Sequence, residues 1–509
     1  MVSVGIDYGT KFSSVAILDS QGAVSLAVDA LRGEATQTQS VVLFTPDGPL
    51  VGKCAETYAN QASDLPQTPI KWTKQWLGSE QNFPDLEGNL WRVESVVALV
   101  LKKLSLDVER QVGSPITELT LTYPVGFPAL DMYALRNAAL LAGLPEPDLV
   151  EEPIAAAFHC AHDLKHADQY VVVYDFGAGT FDACVAKVGR EHFEVLSFSG
   201  DHQLGGRNVD HELAKSIRNQ LCFREFKYTD AQFALEEQCE QWKEALSGPN
   251  AKVIVKDMGQ LHDQPKVIVS EYTVRDVATD IVGNTVDVAT AALDRAKVKW
   301  EEIGTVFLVG GSSQLKTVWT TLRSASRLGA DKFVSRDPLD AVARGAALAE
   351  TKGKPLKQLL AVNDIGLLVW DTVVPNAVIE RRFSRYQRLP AYCTVEFSPN
   401  DEGQRKFEIV LHLSQRYGQT LALAGVSFDV ADKVGIDDVF EMRVEYGDDE
   451  KIRLALRRKG EEEWGQVKSV AMNEEHPEPD WFEEQRKLMV ENSSPMKCFL
   501  NGKFVKFGE

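Results

Sequence analysis

Residues Val2 to Ile6 form a largely apolar, strand-like segment, which the short polar turn from Asp7 to Lys11 interrupts before alternation resumes at Phe12. Two short strands joined by a tight turn are expected there. The same texture returns later. "GIDYGTKFSSVAILDSQG" from Gly5 and "YDFGAGTFDACVAKVGRE" from Tyr174 each read as apolar strand, Asp-x-Gly with a nearby Thr, then alternating strand. Asp7 and Asp175 stand 168 residues apart, too far for a solenoid repeat, so the pattern predicts two related α/β halves. A third apolar run, Val306 to Val309, leads into "VGGSSQL" and has the continuity of a central strand covered on both faces. "LDMYALRNAALLAGL" and "EEPIAAAFHCAHDL" carry helical periodicity, and "RDPLDAVARGAALAE" predicts a helix from near Asp337 with Pro338 in its first turn.

Beyond Lys352 the pattern changes. Residues 353–364 mix Gly, Pro and Lys and are expected to be a linker. From Ile365 short alternating segments dominate, among them "RKFEIVLHLS", "FEMRVEYG" and "KIRLALRRK", with hairpin-turn chemistry at Gly447 to Glu450. This predicts an all-β module over 365–470 after an α/β core over 1–352. Residues 471–509 are acidic and weakly patterned, apart from a hairpin expected at "CFLNGKFVKF" around Asn501-Gly502.

Composition narrows the function. The chain has 509 residues, 44% hydrophobic and 25% charged, which suits a folded protein of several domains. A net charge of −19 argues against nucleic acid or an anionic membrane as the main partner. There is no run of about 18 apolar residues and no secretory leader pattern, so a cytoplasmic protein is expected. The seven cysteines are scattered without a CxxC pair and read as reduced packing residues.

Candidate chemistry sits in the two Asp-x-Gly turns. Gly9 and Gly177 let backbone N–H groups converge on phosphate oxygens, and Thr10 and Thr180 add hydroxyl donors. Asp7 and Asp175 suit magnesium held through its waters. One such turn is ordinarily only a turn; two, with Gly310-Gly311 after a buried strand and Gly205-Gly206 between, predict a clamp for a nucleoside triphosphate. His159, His162 and His166 have helix-compatible spacing for a metal, but a solvated helix face is the expected reading. Trp481, Phe482, Phe499, Phe504 and Phe507 are expected to be packing residues.

In order along the chain, these segments resemble the 70-kDa heat-shock protein (Hsp70) chaperone family. "GIDYGT" is similar to its first phosphate loop, "DFGAGTFD" to its second, and "EEPIAAA" to its catalytic Glu-Pro-x-Ala-Ala-Ala segment. "LGGRNVD", "VGGSSQL" and "TYPVGF" resemble its Leu-Gly-Gly loop, its adenosine loop and its interdomain coupling segment. The resemblance covers residues 2–350 with specific motifs and 357–460 more weakly. It implies a duplicated actin-like ATPase core with ribonuclease H-like halves, followed by a β substrate-binding module and a short C-terminal extension without a helical lid. The implied function is ATP hydrolysis, with ATP/ADP and Mg2+, controlling the binding of a polypeptide client by the β module. A co-chaperone or nucleotide exchange factor of unspecified type is an implied partner.

Roles carry over residue by residue. Lys74 falls where the family has a lysine orienting the attacking water, Glu152 where a glutamate positions it, and Asp175 where a carboxylate acts as base or holds magnesium. Nucleotide contacts are implied for Gly9, Thr10, Lys11 and Phe12, for Gly177, Ala178, Gly179 and Thr180, and for Gly205 and Gly206. Glu240, Lys243 and Ser247, on one helix face, and Gly310, Gly311 and Ser312 are implied around the adenosine.

Several positions depart from the family. Lys11 replaces a small hydroxyl residue, and Glu244 and Gln314 replace two arginines flanking the adenine, so weaker base stacking is expected. Met132 replaces an arginine that works with the coupling proline, here Pro124. Asp148 replaces an arginine used toward J-domain partners, and Lys357-Gln358-Leu359-Leu360 replaces the acidic-leucine linker. Two rival functions follow: a nucleotide-dependent binding or scaffold protein with little turnover, and a kinase of the same superfold. A filament-forming relative is a weaker third.

Overall fold

The computed structural model describes residues 2–506 apart from 32, 34, 62–66, 126, 163–167, 190–192, 202, 221–228, 248–252, 258–265, 336, 350–364, 371–376, 384–388, 400–401, 415–419, 431–433, 448, 450, 472–478, 494–495 and 501–502. The linker expected over 353–364, His166, Phe507 and the Asn501-Gly502 turn lie outside the described residues. The chain divides into two compact units, one of Met1–Gly126, Ala134–Lys352 and Glu484–Glu509, the other of Phe127–Tyr133 and Gly353–Glu483.

In the first unit, β1 (Ser3–Asp7) pairs antiparallel with β2 (Phe12–Leu18), which pairs antiparallel with β3 (Val24–Leu26). On its other side β1 runs parallel to β4 (Glu118–Tyr123), and β4 parallel to β5 (Asp148–Glu151). A second sheet repeats this scheme. Here β6 (Gln169–Phe176) pairs antiparallel with β7 (Phe181–Val188), then β8 (Phe193–Asp201), and on the other side runs parallel to β9 (Ile303–Val309) and β10 (Phe333–Val334). Three antiparallel strands followed by two parallel ones occur in the same order in both sheets. Asp7 and Asp175 therefore close equivalent strands at their carboxyl ends, where open α/β sheets present their ligand loops.

The second sheet is buried on both faces. Val172, Tyr174, Phe176, Phe181, Ala183 and Val185 share a core with Ala278, Val282, Ala289 and Leu293 of the helix Glu271–Ala296. That helix starts on a reciprocal capping box between Ser270 and Thr273. Two helices of small residues pack on each other, α3 (Glu152–His162), which lies chiefly against the second sheet, and α7 (Ala341–Ala349), which covers the first. A Cβ at Gly345 would stand 1.6 Å from the Ala155 carbonyl oxygen, and one at Gly5 would stand 2.2 Å from the Ala347 nitrogen. The alanine runs of both motifs thus set how closely backbone meets backbone. The helix expected from Asp337 begins instead at Ala341. Asp337 has φ 45°, and the Pro338 carbonyl accepts from the Gly310 N–H at 2.7 Å, so these residues form a turn that buttresses the third Gly-rich loop.

The C-terminal residues complete the first unit. In the helix α8 (Phe482–Ser493), Gln485 Oε1 accepts from the Arg92 N–H at 3.0 Å and from Ser95 Oγ at 2.7 Å. Those groups open α2 (Val93–Val112), whose N-cap residue, Arg92, makes no side-chain capping bond. Gln485 is a helix cap supplied from a distant segment. The expected terminal hairpin forms between Lys497–Leu500 and Lys503–Lys506. Phe499, Phe504 and Tyr58 form an aromatic triad with centroids 5.0–5.5 Å apart, beside Val41, Leu43, Leu50, Cys54 and Cys498.

The second unit is all-β around its core. Ile365–Trp370 lies between Ala377–Phe383 and Lys406–Ser414, with Thr420–Asp429 beyond; a second sheet runs through Ala391–Phe397, Phe440–Tyr446, Lys451–Arg458 and Lys468–Ala471. Both sheets contribute to one core, including Ile365, Leu411, Phe428, Phe440, Val444 and Leu454, joined by Ala129. The hairpin expected at Gly447 to Glu450 forms, with the Gly447 N–H donating to the Lys451 carbonyl at 2.9 Å; Asp448 and Glu450 lie outside the described residues. Among the described residues, no helix is long and apolar enough to cross a membrane.

Candidate functional site

The two Asp-x-Gly turns face each other. A Cβ at Gly179, in the second turn, would lie 3.0 Å from Thr10 Oγ1 of the first and 3.2 Å from Gln75 Nε2. Within the first turn a Cβ at Gly9 would meet the Phe12 carbonyl oxygen at 2.0 Å, so only glycine fits this curl. The turn is pinned by Ser40 Oγ, which donates to the Gly9 carbonyl at 2.7 Å. Thr10 is buried, and Phe12 begins β2.

Around the second turn, two sequence-predicted loops converge. The Gly206 N–H donates to the Gly177 carbonyl at 3.0 Å, and the Arg207 N–H to the Ala178 carbonyl at 2.8 Å. Ser312 Oγ donates to the same Gly177 carbonyl at 2.8 Å, and the turn closes through Gly177 N–H to the Thr180 carbonyl at 3.0 Å. Gly310, with φ 80°, packs so close that a Cβ there would meet Asp175 Oδ1 at 2.6 Å. Gly311 opens the short turn that carries Ser312.

Lys74 sits in a one-turn helix, Thr73–Trp76, between the turns. Its neighbour Thr73 shares a 2.5 Å hydrogen bond with the Tyr8 hydroxyl, fixing this segment to the first turn. Lys74 Nζ donates to Glu152, the first residue of α3, and both side chains are buried. The surrounding carboxyls titrate high. Burial, then Glu152, push Asp7 up to about 7, against the pull of Lys74 and Thr122. Burial followed by Glu152 raises Asp175 and Asp182 well above the ordinary carboxylate range. Burial works against the Lys74 ammonium, yet Glu152 and Asp7 outweigh it and hold its pKa above that of ordinary lysine. Four carboxyls, Glu152 included, near one cation leave unneutralised negative potential, as a site for a positive ion requires.

Glu240, Lys243 and Ser247, expected on the adenosine side, lie on α5 (Thr229–Ser247). Lys243 Nζ is bound to Asp210 Oδ2 at 2.7 Å and donates to the Gly206 carbonyl at 2.9 Å, so it supports the Gly205-Gly206 loop. Ser247 Oγ donates to the Lys243 carbonyl at 2.8 Å. Glu240 pairs with Lys11 at 2.8 Å. His159 Nε2 lies 3.1 Å from Asp337 Oδ2, and the His162 side chain is outside the description.

Two features escaped sequence reasoning. Asp182 stands inside the quoted "DFGAGTFD" segment, yet only its register opposite Asp175 shows it belongs to the carboxyl group. Its Oδ1 is buried without a hydrogen-bond partner among the described residues. Arg207 stacks its guanidinium 3.9 Å from the Trp72 ring and reaches Gln75 Oε1 at 3.4 Å, closing over the Lys74 segment. No local pattern announces a cation–π contact across that separation.

Hard carboxylate oxygens, one of them orphaned, are the donors magnesium prefers. Among the described residues no three ligand side chains gather closely enough to hold an ion directly. Comparison with protein families gives a match for residues 64–432, to the family described as Hsp70 protein.

Proposed function

The chain belongs to the Hsp70 family, and on that footing we propose that it is an ATP-hydrolysing, chaperone-like protein whose β unit binds extended polypeptide. The observation carrying this reading is the buried Lys74–Glu152 pair standing between two facing Asp-x-Gly turns. In this reading the two sheets are the halves of a duplicated actin-like core, and the turns grip phosphates from both sides.

Phosphoryl transfer to water asks for positioning and charge neutralisation more than covalent chemistry. Backbone N–H groups around Gly9, Thr10, Ala178 and Gly179, with the Thr10 and Thr180 hydroxyls, would hold the phosphates, in a turn that Gly177 keeps tight. Lys74, kept charged by Glu152 and Asp7, would orient the attacking water and offset charge at the transferred group. Glu152 would fix that lysine and the water together. Asp175 would either take the water's proton or help hold magnesium. Asp7, Asp175 and Asp182 would hold magnesium through its waters, and that ion would supply charge neutralisation between phosphate oxygens. Glu240, Ser247, Gly310, Gly311 and Ser312 would line the nucleoside, with Lys243 supporting Gly205 and Gly206. A polypeptide client at the β unit, a co-chaperone or exchange factor, and a cytoplasmic setting complete the proposal.

Single-turnover ATP hydrolysis by wild type and Lys74→Ala tests it. Clear wild-type turnover that falls in the variant supports the reading, and equal near-background rates overturn the enzymatic part. One observation favours the low-turnover alternative, in which ATP acts as a conformational ligand. Lys11, beside the phosphates, is engaged by Glu240 and Glu244. Binding of ATP without cleavage would select it.

A further inference from the structure

Two departures from the family pattern meet in space. Lys11, in the first turn, places Nζ 2.8 Å from Glu240 Oε1 and 2.8 Å from Glu244 Oε1, 229 and 233 residues further along the chain. The two glutamates are four residues apart and present carboxylates from one face of α5. Lys71, from the segment leading to Lys74, pairs with Glu237 on the same helix. Lysines of the first half thus meet an acidic stripe of the second, on the rim where nucleoside and phosphates would lie. Lys11 also packs 5.1 Å from the Phe12 ring, which restricts where its ammonium can go.

We propose that Lys11 is a positioning residue that exchanges partners, leaving Glu240 and Glu244 for the phosphates when nucleotide binds, so that Glu244 weakens nucleotide binding by competing for it. This rests on the nucleotide-binding reading above and adds a device to it. One ammonium shared between two carboxylates has little to offer a third anion. Burial lowers its proton affinity, but Glu240 and Glu244 more than restore it, so it remains a cation. The side chains are partly exposed, 28% for Lys11 and Glu240 and 60% for Glu244, so each pair is weak enough to be displaced. Its release would also return Glu240 to the nucleoside side.

The test uses the full chain, with ADP and a non-hydrolysable ATP analogue measured by calorimetry. Glu244→Gln is expected to tighten both about twofold to fivefold, the range of one exposed ion pair. Lys11→Ala should weaken both, the analogue more, and Lys11→Arg should restore most of the loss. In the Lys11→Ala background, Glu244→Gln should have no effect, which a merely structural role for Glu244 would not produce. If Glu244→Gln leaves affinity unchanged or weakens it, or acts equally with and without Lys11, the exchange is overturned while nucleotide binding stands. A wild-type chain that binds neither nucleotide overturns the reading beneath and the exchange with it.

Discussion

Lys74 and Glu152 are joined in a buried ion pair, 4% and 6% exposed, though 78 residues separate them. Lys74 is also the cation that offsets Asp7, Asp175 and Asp182. Replacing it with alanine leaves Glu152 unpaired among carboxyls. The loss expected for breaking a buried pair is about 3–5 kcal/mol, reduced where a carboxyl takes up a proton instead. Urea unfolding without nucleotide would measure it. Single-turnover hydrolysis should fall about 10²- to 10³-fold, the usual loss on removing a charge-stabilising group. An unchanged unfolding midpoint would show that the pair contributes nothing to the fold.

Much of this site was legible because its signals are local. Asp7-x-Gly9 and Asp175-x-Gly177 announce tight turns, and their flanking apolar runs announce strands. The Ala155 to Ala157 run gave a helix but not its reason, because the contact that demands small residues comes from Gly345, remote in the chain. Lys11 and Glu244 each stood out singly, and only the fold shows that one answers the other. The acidic, weakly patterned tail gave no sign that Gln485 caps α2, since a capping amide from a distant segment obeys no spacing rule.

The contact of Gly345 with Ala155 makes a second prediction. A methyl at Gly345 would need to share space with a helix carbonyl, and neither helix can yield without shifting Glu152 at the head of α3. Gly345→Ala should destabilise the chain by about 1–3 kcal/mol, despite alanine's better helix propensity. Thermal unfolding would check the sign, and turnover should fall beyond what unfolding explains. A stabilised variant would contradict the packing.

Stability should also depend on pH through Asp107. Burial raises its carboxyl to about 6, although Lys103 at its side pulls the other way. Below about 4 this carboxyl is protonated in both folded and unfolded chains. Between about 4 and 6 the unfolded chain has released the proton and the folded chain still binds it, so rising pH favours unfolding. Above about 6 the penalty is complete, on the order of 3 kcal/mol. Asp107→Asn should flatten this part of the stability profile, because Asp29, 2.8 Å from Lys103 Nζ, still neutralises the lysine. Identical slopes in both proteins between pH 4 and 6 would refute the assignment.

The last prediction concerns the tail as part of the first unit. Gln485 is 4% exposed and makes three hydrogen bonds: it accepts from the Arg92 N–H and Ser95 Oγ, and its Nε2 donates to the Leu90 carbonyl at 3.0 Å. Removing the amide strands the opening N–H of α2 and the buried Ser95 hydroxyl together. The cost should reach about 2–3 kcal/mol, more than an exposed cap gives, because neither group can turn to water. Further along, Lys102 Nζ donates to the Ser493 carbonyl at 3.0 Å, and the Phe499 N–H donates to Cys54 Sγ at 3.1 Å. These contacts place the tail on α2 and on the helix Lys53–Gln61, both of which flank the segment bearing Lys74. Gln485→Ala should therefore lower hydrogen-exchange protection at the start of α2 and leave the strands of the β unit unchanged. Removal of residues 484–509 would expose Leu43, Leu50 and Ala55 as well, and should cost more than the single variant. Full protection at Val93 to Val97 in Gln485→Ala would mean that the cap is dispensable and that the tail adheres through its aromatic cluster alone.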